Sequence, residues 1–339
     1  MKQPGFFDFE KRLHKIDRNG DPLTKISTTV DWEMFRAELE QARNKGKKSN
    51  TGAKPYDAVL MFKILILQSL YNLSDAAMEF QILDRHSFGR FLGLDLGDKV
   101  PDATTIWLFR ESLKETNLVE KLFKKFDQYL REQGFQAQKG QIIDASIIKV
   151  PKQRNSREEN EQIKGGNPPT DWAENKKRQK DTDARWTKKN DKTYFGYKNH
   201  IAIDVKHKLI RNYEVTNAAV HDSNIFEQLL DKENTSRDVW ADSAYRSATK
   251  IASLVAAGYR EHIQRKGQRN RELTGAEKRG NHTRSKTRSR VEHVFGVQAQ
   301  KAGKLILRTI GMARANAKIG LRNLAYNIDR FGMLVMEMG

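Results

Sequence analysis

An acidic residue inside an apolar, β-branched run is the feature that most narrows what this chain can fold into. In Gln141-Ile-Ile-Asp-Ala-Ser-Ile-Ile148, the residues Ile142, Asp144, Ser146 and Ile148 share one face of an extended strand, and Ile143, Ala145 and Ile147 share the other. The run reads as a buried strand, where a carboxylate is costly unless it is paired or holds a cation. Two more acids stand in telling contexts: Asp242 ends the apolar run of Val-Trp-Ala-Asp-Ser-Ala-Tyr-Arg, and Glu292 lies in Arg-Ser-Arg-Val-Glu-His-Val-Phe, on a helical pattern behind a dense basic stretch. A fold that gathers these three carboxylates around metal ions accounts for all of them. Each also has a plainer explanation. Backbone donors can satisfy Asp144, Asp242 can cap a following turn, and Glu292 can pair with Arg288 one helical turn earlier. Asp204 and Asp222 compete for the second metal position but rank below Asp242. Asp204 precedes a tight turn where Asp is at home, and Asp222 in Val-His-Asp-Ser can cap a helix.

The charge balance points to what such metals would act on. The chain has 62 Lys and Arg against 43 Asp and Glu, a formal net charge of +19, and a pI near 9.8. A chain this basic commonly binds nucleic acid or another anionic surface. Residues 259–290 hold eleven Lys or Arg against three acids, just ahead of Glu292. This stretch reads as a phosphate track into a metal site, or alternatively as a solvated loop. There is no Cys, which excludes disulfides, thiolate zinc sites and cysteine catalysis. The N-terminus lacks the apolar core of a signal peptide, and the longest apolar stretch, Ala58 to Leu67, contains Lys63 and is too short to span a bilayer. A cytoplasmic chain is expected. No phosphate-cradling Gly-Lys-Ser/Thr loop, Rossmann glycine fingerprint or zinc-type histidine spacing is present.

Along the chain, residues 1–54 read as a polar arm and linker, with a short helical pattern near Trp32 to Ala42 and a basic stretch from Asn44 to Lys54. Residues 55–135 read as an all-helical module, either DNA-binding through a helix-turn-helix or purely structural. Ser74, Asp102 and Asn117 are its helix caps. At Gln141 the hydrophobic period changes. Residues 136–339 read as a mixed α/β domain, with a polar loop at 151–192 that is partly mobile until it meets a partner. Strands are expected at Tyr194 to Lys198, His200 to Val205, Leu209 to Val215, Asp238 to Asp242 and Arg260 to Gln264. Helices start at Ser223 and Ser247, and a final amphipathic helix carries Ile319, Leu324, Ile328, Phe331 and Val335.

Several linked motifs then resemble one family. They are Pro101-Asp-Ala-Thr-Thr-Ile-Trp-Leu-Phe-Arg110, Ile143-Asp-Ala-Ser146, Asp183-Ala-Arg-Trp-Thr-Lys-Lys189, Lys192-Thr-Tyr-Phe-Gly-Tyr-Lys198, Val220-His-Asp-Ser223, Ala241-Asp-Ser-Ala-Tyr245 and Val291-Glu-His-Val-Phe295. Together they resemble bacterial insertion-sequence transposases of the DDE type, in the IS-five group. The resemblance implies a helical DNA-binding module followed by a ribonuclease-H-like mixed-sheet core, an α/β (α+β) chain. It implies Asp144, Asp242 and Glu292 as the catalytic, metal-binding triad, with two Mg²⁺ ions per site and Mn²⁺ as a substitute. It also implies recognition of terminal inverted repeats in double-stranded DNA, cleavage at the element ends and joining to a target, by a homodimer or higher assembly on DNA. Arg284, Lys286, Arg288 and Arg290 in the basic stretch, with Lys192, Lys198 and Lys301, are the candidate DNA contacts. The family signature Tyr-x2-Arg-x3-Glu-x6-Lys is met here at Arg288 and Glu292, whereas Ser285 and Ala299 stand at its Tyr and Lys positions. Lys301 or Lys304 is the candidate replacement for the missing Lys. A metal-dependent nuclease that cuts without joining, and a DNA-binding protein without catalysis, are the competing readings.

Overall fold

The computed structural model describes residues 5, 7–43, 54–189, 191–267, 271–303 and 306–338. The expected linker from Asn44 lies almost wholly outside them, as does Lys304. The chain divides into two compact units, residues 1–126 with 324–339, and residues 127–323.

The first unit is helical. It contains α1 (Asp8–Arg18), α2 (Pro22–Thr29), a 3-10 turn (Trp32–Phe35), α3 (Arg36–Arg43), α4 (Ala58–Tyr71), α5 (Asp75–Asp84), α6 (His86–Leu92), α7 (Ala103–Glu115) and the start of α8 (Leu118–Glu132). Short polar side chains start these helices by accepting orphan backbone N–H groups: Asp21 from Leu23, Asp57 from Leu60, Ser74 from Ala77 and Asp102 from Thr105. The helix α4 is apolar on nearly every side and is buried almost throughout, so it forms the centre of the unit. Residues 1–54 prove to be more than a polar arm. Leu23, Ile26, Trp32, Phe35 and Leu39 are buried, and the Trp32 and Phe35 rings lie 6.3 and 4.9 Å from Phe62. Their apolar residues are sparse among charges, which hides them from periodicity. The end of the chain, expected in the catalytic domain, also belongs here. Leu324, Ile328 and Phe331 are buried, and Phe331 meets Phe126 edge-on at 6.1 Å.

The second unit is built on a six-stranded mixed sheet. Its strands are β1 (Gln141–Lys149), β2 (Arg185–Lys189), β3 (Lys192–Asp204), β4 (Ile210–Asn217), β5 (Asp238–Ala241) and β6 (Arg260–Ile263). The long β3 pairs antiparallel with β1, β2 and β4, and β5 and β6 continue the sheet in parallel beyond β1. This is the mixed-sheet α/β domain expected after the helical region. Gly196 lies where β3 changes partners; its φ is +151°, and a Cβ there would run into the carbonyl of Ile148, so only glycine fits. Short helices α9 (Arg157–Lys164) and α10 (Glu174–Gln179) follow β1, and α11 (Ala248–Ala256) joins β5 to β6. The helix α12 (Gly275–Ala302), opened by a Thr274–Glu277 capping box, packs against β1 and β5. The last helix, α13 (Met312–Met338), begins in this unit.

Three expectations change. The two strands expected at 194–205 are one continuous β3. Segment 151–192 is not a featureless loop: α9 has a Ser156–Glu159 capping box, Trp172 is buried with its indole N–H donating to Glu159 at 2.7 Å, and β2 closes the segment. The helix expected from Ser223 is instead two 3-10 turns, Asp222–Asn224 and Phe226–Leu229.

Candidate active site

The parallel pairing of β1 and β5 sets Gln141 opposite Val239 and Ile142 opposite Trp240. Continued by two residues, the same register brings Asp144, inside β1, level with Asp242, the residue that directly follows β5. Asp144 is 9% exposed. Its Oδ1 accepts from the Ala145 N–H at 2.8 Å, and its Oδ2 accepts from Arg288 Nη1 at 2.8 Å. Burial pushes its carboxyl up to about 6; the Asp242 charge adds to the rise, while the Ala145 N–H and Arg288 oppose it. Asp242 accepts from the Ala244 N–H at 2.8 Å and so caps the 3-10 turn Ser243–Tyr245. The capping role and a place beside Asp144 coexist.

Glu292 lies on α12 with its side chain 60% exposed, and its Oε1 accepts from Arg288 Nη2 at 2.8 Å. One planar guanidinium therefore grips Asp144 with one edge nitrogen and Glu292 with another. Val291 and Val294 are buried and anchor this stretch of α12. Among the described residues, no three His, Asp or Glu side chains are drawn close enough to hold a metal ion. Even so, the donor chemistry suits a hard divalent cation. All three acids offer carboxylate oxygens, and Asp144 is desolvated with the Asp242 charge beside it.

The two competing acids have other places. Asp204 pairs with Gln141 at the start of β1, about 10 Å along the strand from Asp144. It is fully buried and accepts from the His207 N–H at 2.7 Å, the Leu209 N–H at 3.3 Å and Arg211 Nε at 3.1 Å, while Arg211 also holds Asp127. That is a structural network, and Asp204 drops out as a metal ligand. Asp222 does not cap its turn, because His221 Nδ1 takes the Ser223 N–H. Asp222 instead pairs with Lys198 at 2.8 Å, and its turn packs on Ser243–Tyr245 beside Asp242. Only the packing of two turns distant in sequence brings Asp222 near Ser243–Tyr245.

The candidate DNA contacts separate into two groups. Lys286 and Arg290 are exposed on α12, Arg284 and Arg288 are half-buried on the same helix, Lys301 is exposed in its last turn, and Lys192 is exposed at the start of β3. Arg290 also donates to the Val205 carbonyl at 2.7 Å. Lys198 is different. It is tied to Asp222 and donates to the Val220 carbonyl at 2.7 Å with only 11% of its side chain exposed, so it is not a surface phosphate contact. At the two signature departures, Ser285 accepts from Gln264 Nε2 at 2.6 Å, and Ala299 is exposed. Of the basic stretch, residues 275–290 are helical rather than a solvated loop, and residues 268–270 lie outside the described residues.

Acids within β1 and just past β5, overlain by a basic helix, make a site suited to a phosphodiester backbone. Residues 136–328 match the family described as "Transposase DDE domain", and residues 10–112 match the one described as "Transposase domain (DUF772)". Among solved structures, the chain is similar to one titled "Cryo-EM structure of piggyBac transposase synaptic complex with hairpin DNA", at 12% identity and a TM-score of 0.46, over 94% of this chain and 76% of that one. The chain belongs to the DDE transposases of insertion sequences. It is a DNA transposase, an enzyme of the polynucleotidyl-transferase type, and its family generally uses divalent metal ions.

Proposed function

We propose that this transposase, of the IS-five group, binds the terminal inverted repeats of its element, cleaves DNA at the ends and joins the 3′-hydroxyl ends to target DNA. The observation that carries this reading is the Arg288 bridge between Asp144 and Glu292, set beside the register-matched Asp242. Mg²⁺, or Mn²⁺ in its place, held by Asp144, Asp242 and Glu292 would supply an activated water or 3′-hydroxyl and stabilise the leaving oxygen. Asp144 supplies a carboxylate from within β1, Asp242 one from just past β5, and Glu292 one from an exposed helical position. Arg288 holds the acids together until the cation arrives, and its planar fork then suits a DNA phosphate. Lys286 and Arg290 on α12, with Lys192, track the backbone. The helical unit reads the repeats, and pairing two element ends requires a homodimer or higher assembly in the bacterial cytoplasm. The test is incubation with element-end DNA and a target plasmid, with and without Mg²⁺, followed by sequencing of the products. Mg²⁺-dependent end cleavage and joined products are expected. Cut ends that never join would make the protein a nuclease.

A further inference from the structure

Tyr245 is the last residue of the turn that Asp242 opens. Its ring is fully buried beside Phe226, with centroids 5.4 Å apart, in a cluster with Ile143, Val239 and Ala241. Its hydroxyl is buried too and has no hydrogen-bond partner among the described residues. Buried hydroxyls are nearly always bonded, so an orphan at an active site calls for a function. Burial, with the nearby charges of Asp144, Asp222 and Asp242, holds its proton well above the usual tyrosine range, and it stays an O–H donor. Asp144 has one oxygen on the Ala145 N–H and the other on Arg288.

We propose that Tyr245 is a positioning residue of the DDE centre: its hydroxyl donates to a carboxylate of that centre when the carboxylate becomes a metal ligand, and fixes its orientation. This rests on the reading of Asp144, Asp242 and Glu292 as the metal-binding acids. Once Arg288 yields Asp144 to a cation, a hydrogen-bond donor is needed to hold the liganding carboxylate in place, and the only atom removed by Tyr245→Phe is the one that would supply it.

The proposal predicts two effects of opposite sign for Tyr245→Phe in the full-length chain. Without metal, the melting temperature stays the same or rises, because an unsatisfied hydroxyl has been removed from the interior. With Mn²⁺ as the probe, read by electron paramagnetic resonance or calorimetry, affinity falls by about tenfold or more. Unchanged Mn²⁺ affinity would overturn the proposal. So would a fall in affinity accompanied by a lower metal-free melting temperature, since that pattern is a packing defect. Asp144→Asn and Asp242→Asn, measured alongside, separate this from the underlying reading. If both bind Mn²⁺ like the unsubstituted protein, the acids are not the metal site and both ideas fall. If both lose binding and Tyr245→Phe does not weaken it, only the role of Tyr245 falls.

Discussion

At the residue scale, Asp144 couples stability to function. Its carboxyl is raised from 3.8 to about 6, chiefly by burial. The folded state therefore holds this proton more tightly than the unfolded chain does. The stabilisation is full below about pH 4 and is lost as pH rises through 6. Above that, the ionised group costs on the order of 3 kcal/mol in the metal-free protein. Asp144→Asn should abolish DNA cleavage, flatten the pH dependence of metal-free melting between pH 4 and 7, and raise the melting temperature at pH 7.5. A melting profile with the same pH slope as the unsubstituted protein would refute the raised carboxyl. Arg288→Ala should lower the rate of end cleavage at least tenfold while changing end binding less, because it loses its grip on two acids at the reacting centre but only one phosphate contact. Rates and affinities measured on one end substrate decide it; equal losses in both would make Arg288 an ordinary DNA contact. Sequence context alone singled out the three acids and Arg288. It could not show that Arg288 joins Asp144 to Glu292, a link between residues 144 apart in the chain. Nor could it show that Lys198 is used up by Asp222, because a lysine's partner depends on which turn packs over it.

At the element scale, α12 brings the basic stretch to the acids. It is anchored by buried Val291 and Val294 and carries exposed Arg279 and Lys286. If both side chains neutralise phosphates, Arg279→Ala with Lys286→Ala should flatten the slope of log affinity against log salt by about two units. Preference for end DNA over scrambled DNA should hardly change, since phosphates carry no base information. Titrations at several salt concentrations measure both, and an unchanged slope would place the DNA path elsewhere. Arg290→Ala should behave differently: it also loses the bond to the Val205 carbonyl, at a stability cost of about 1 kcal/mol. Segment 151–192 marks where element reading from sequence ran out. Its order comes from a capping box, the widely spaced buried residues Ile163, Trp172 and Ala184, and an edge strand, and none of these imposes a hydrophobic period.

At the scale of the whole molecule, the helical unit is assembled from both ends of the chain. Leu324, Ile328 and Phe331 are buried residues of that unit. Losing several large apolar groups from one core costs several kcal/mol, each roughly 2–5 kcal/mol. Deleting residues 324–339 should therefore expose α1 to α7 to trypsin and remove the helical unit's cooperative melting. An unchanged digestion pattern would show that the N-terminal helices stand without the C-terminal one.

Local chemistry determined much of this protein. The caps Ser74, Asp102 and Ser247 start the helices that their neighbours suggest, and the change of hydrophobic period at Gln141 starts the first strand. These signals act within a few residues, so one chain read from end to end carries them. Tertiary structure alone decided the register that sets Asp144 level with Asp242, the sharing of Arg288 between two acids, and the burial of Asp204 in a network with Arg211. It also decided that the final turns of α13 join the N-terminal helices. Each of these depends on which distant surfaces exclude water together, and burial of that kind is a property of the packed chain that no window of neighbouring residues contains.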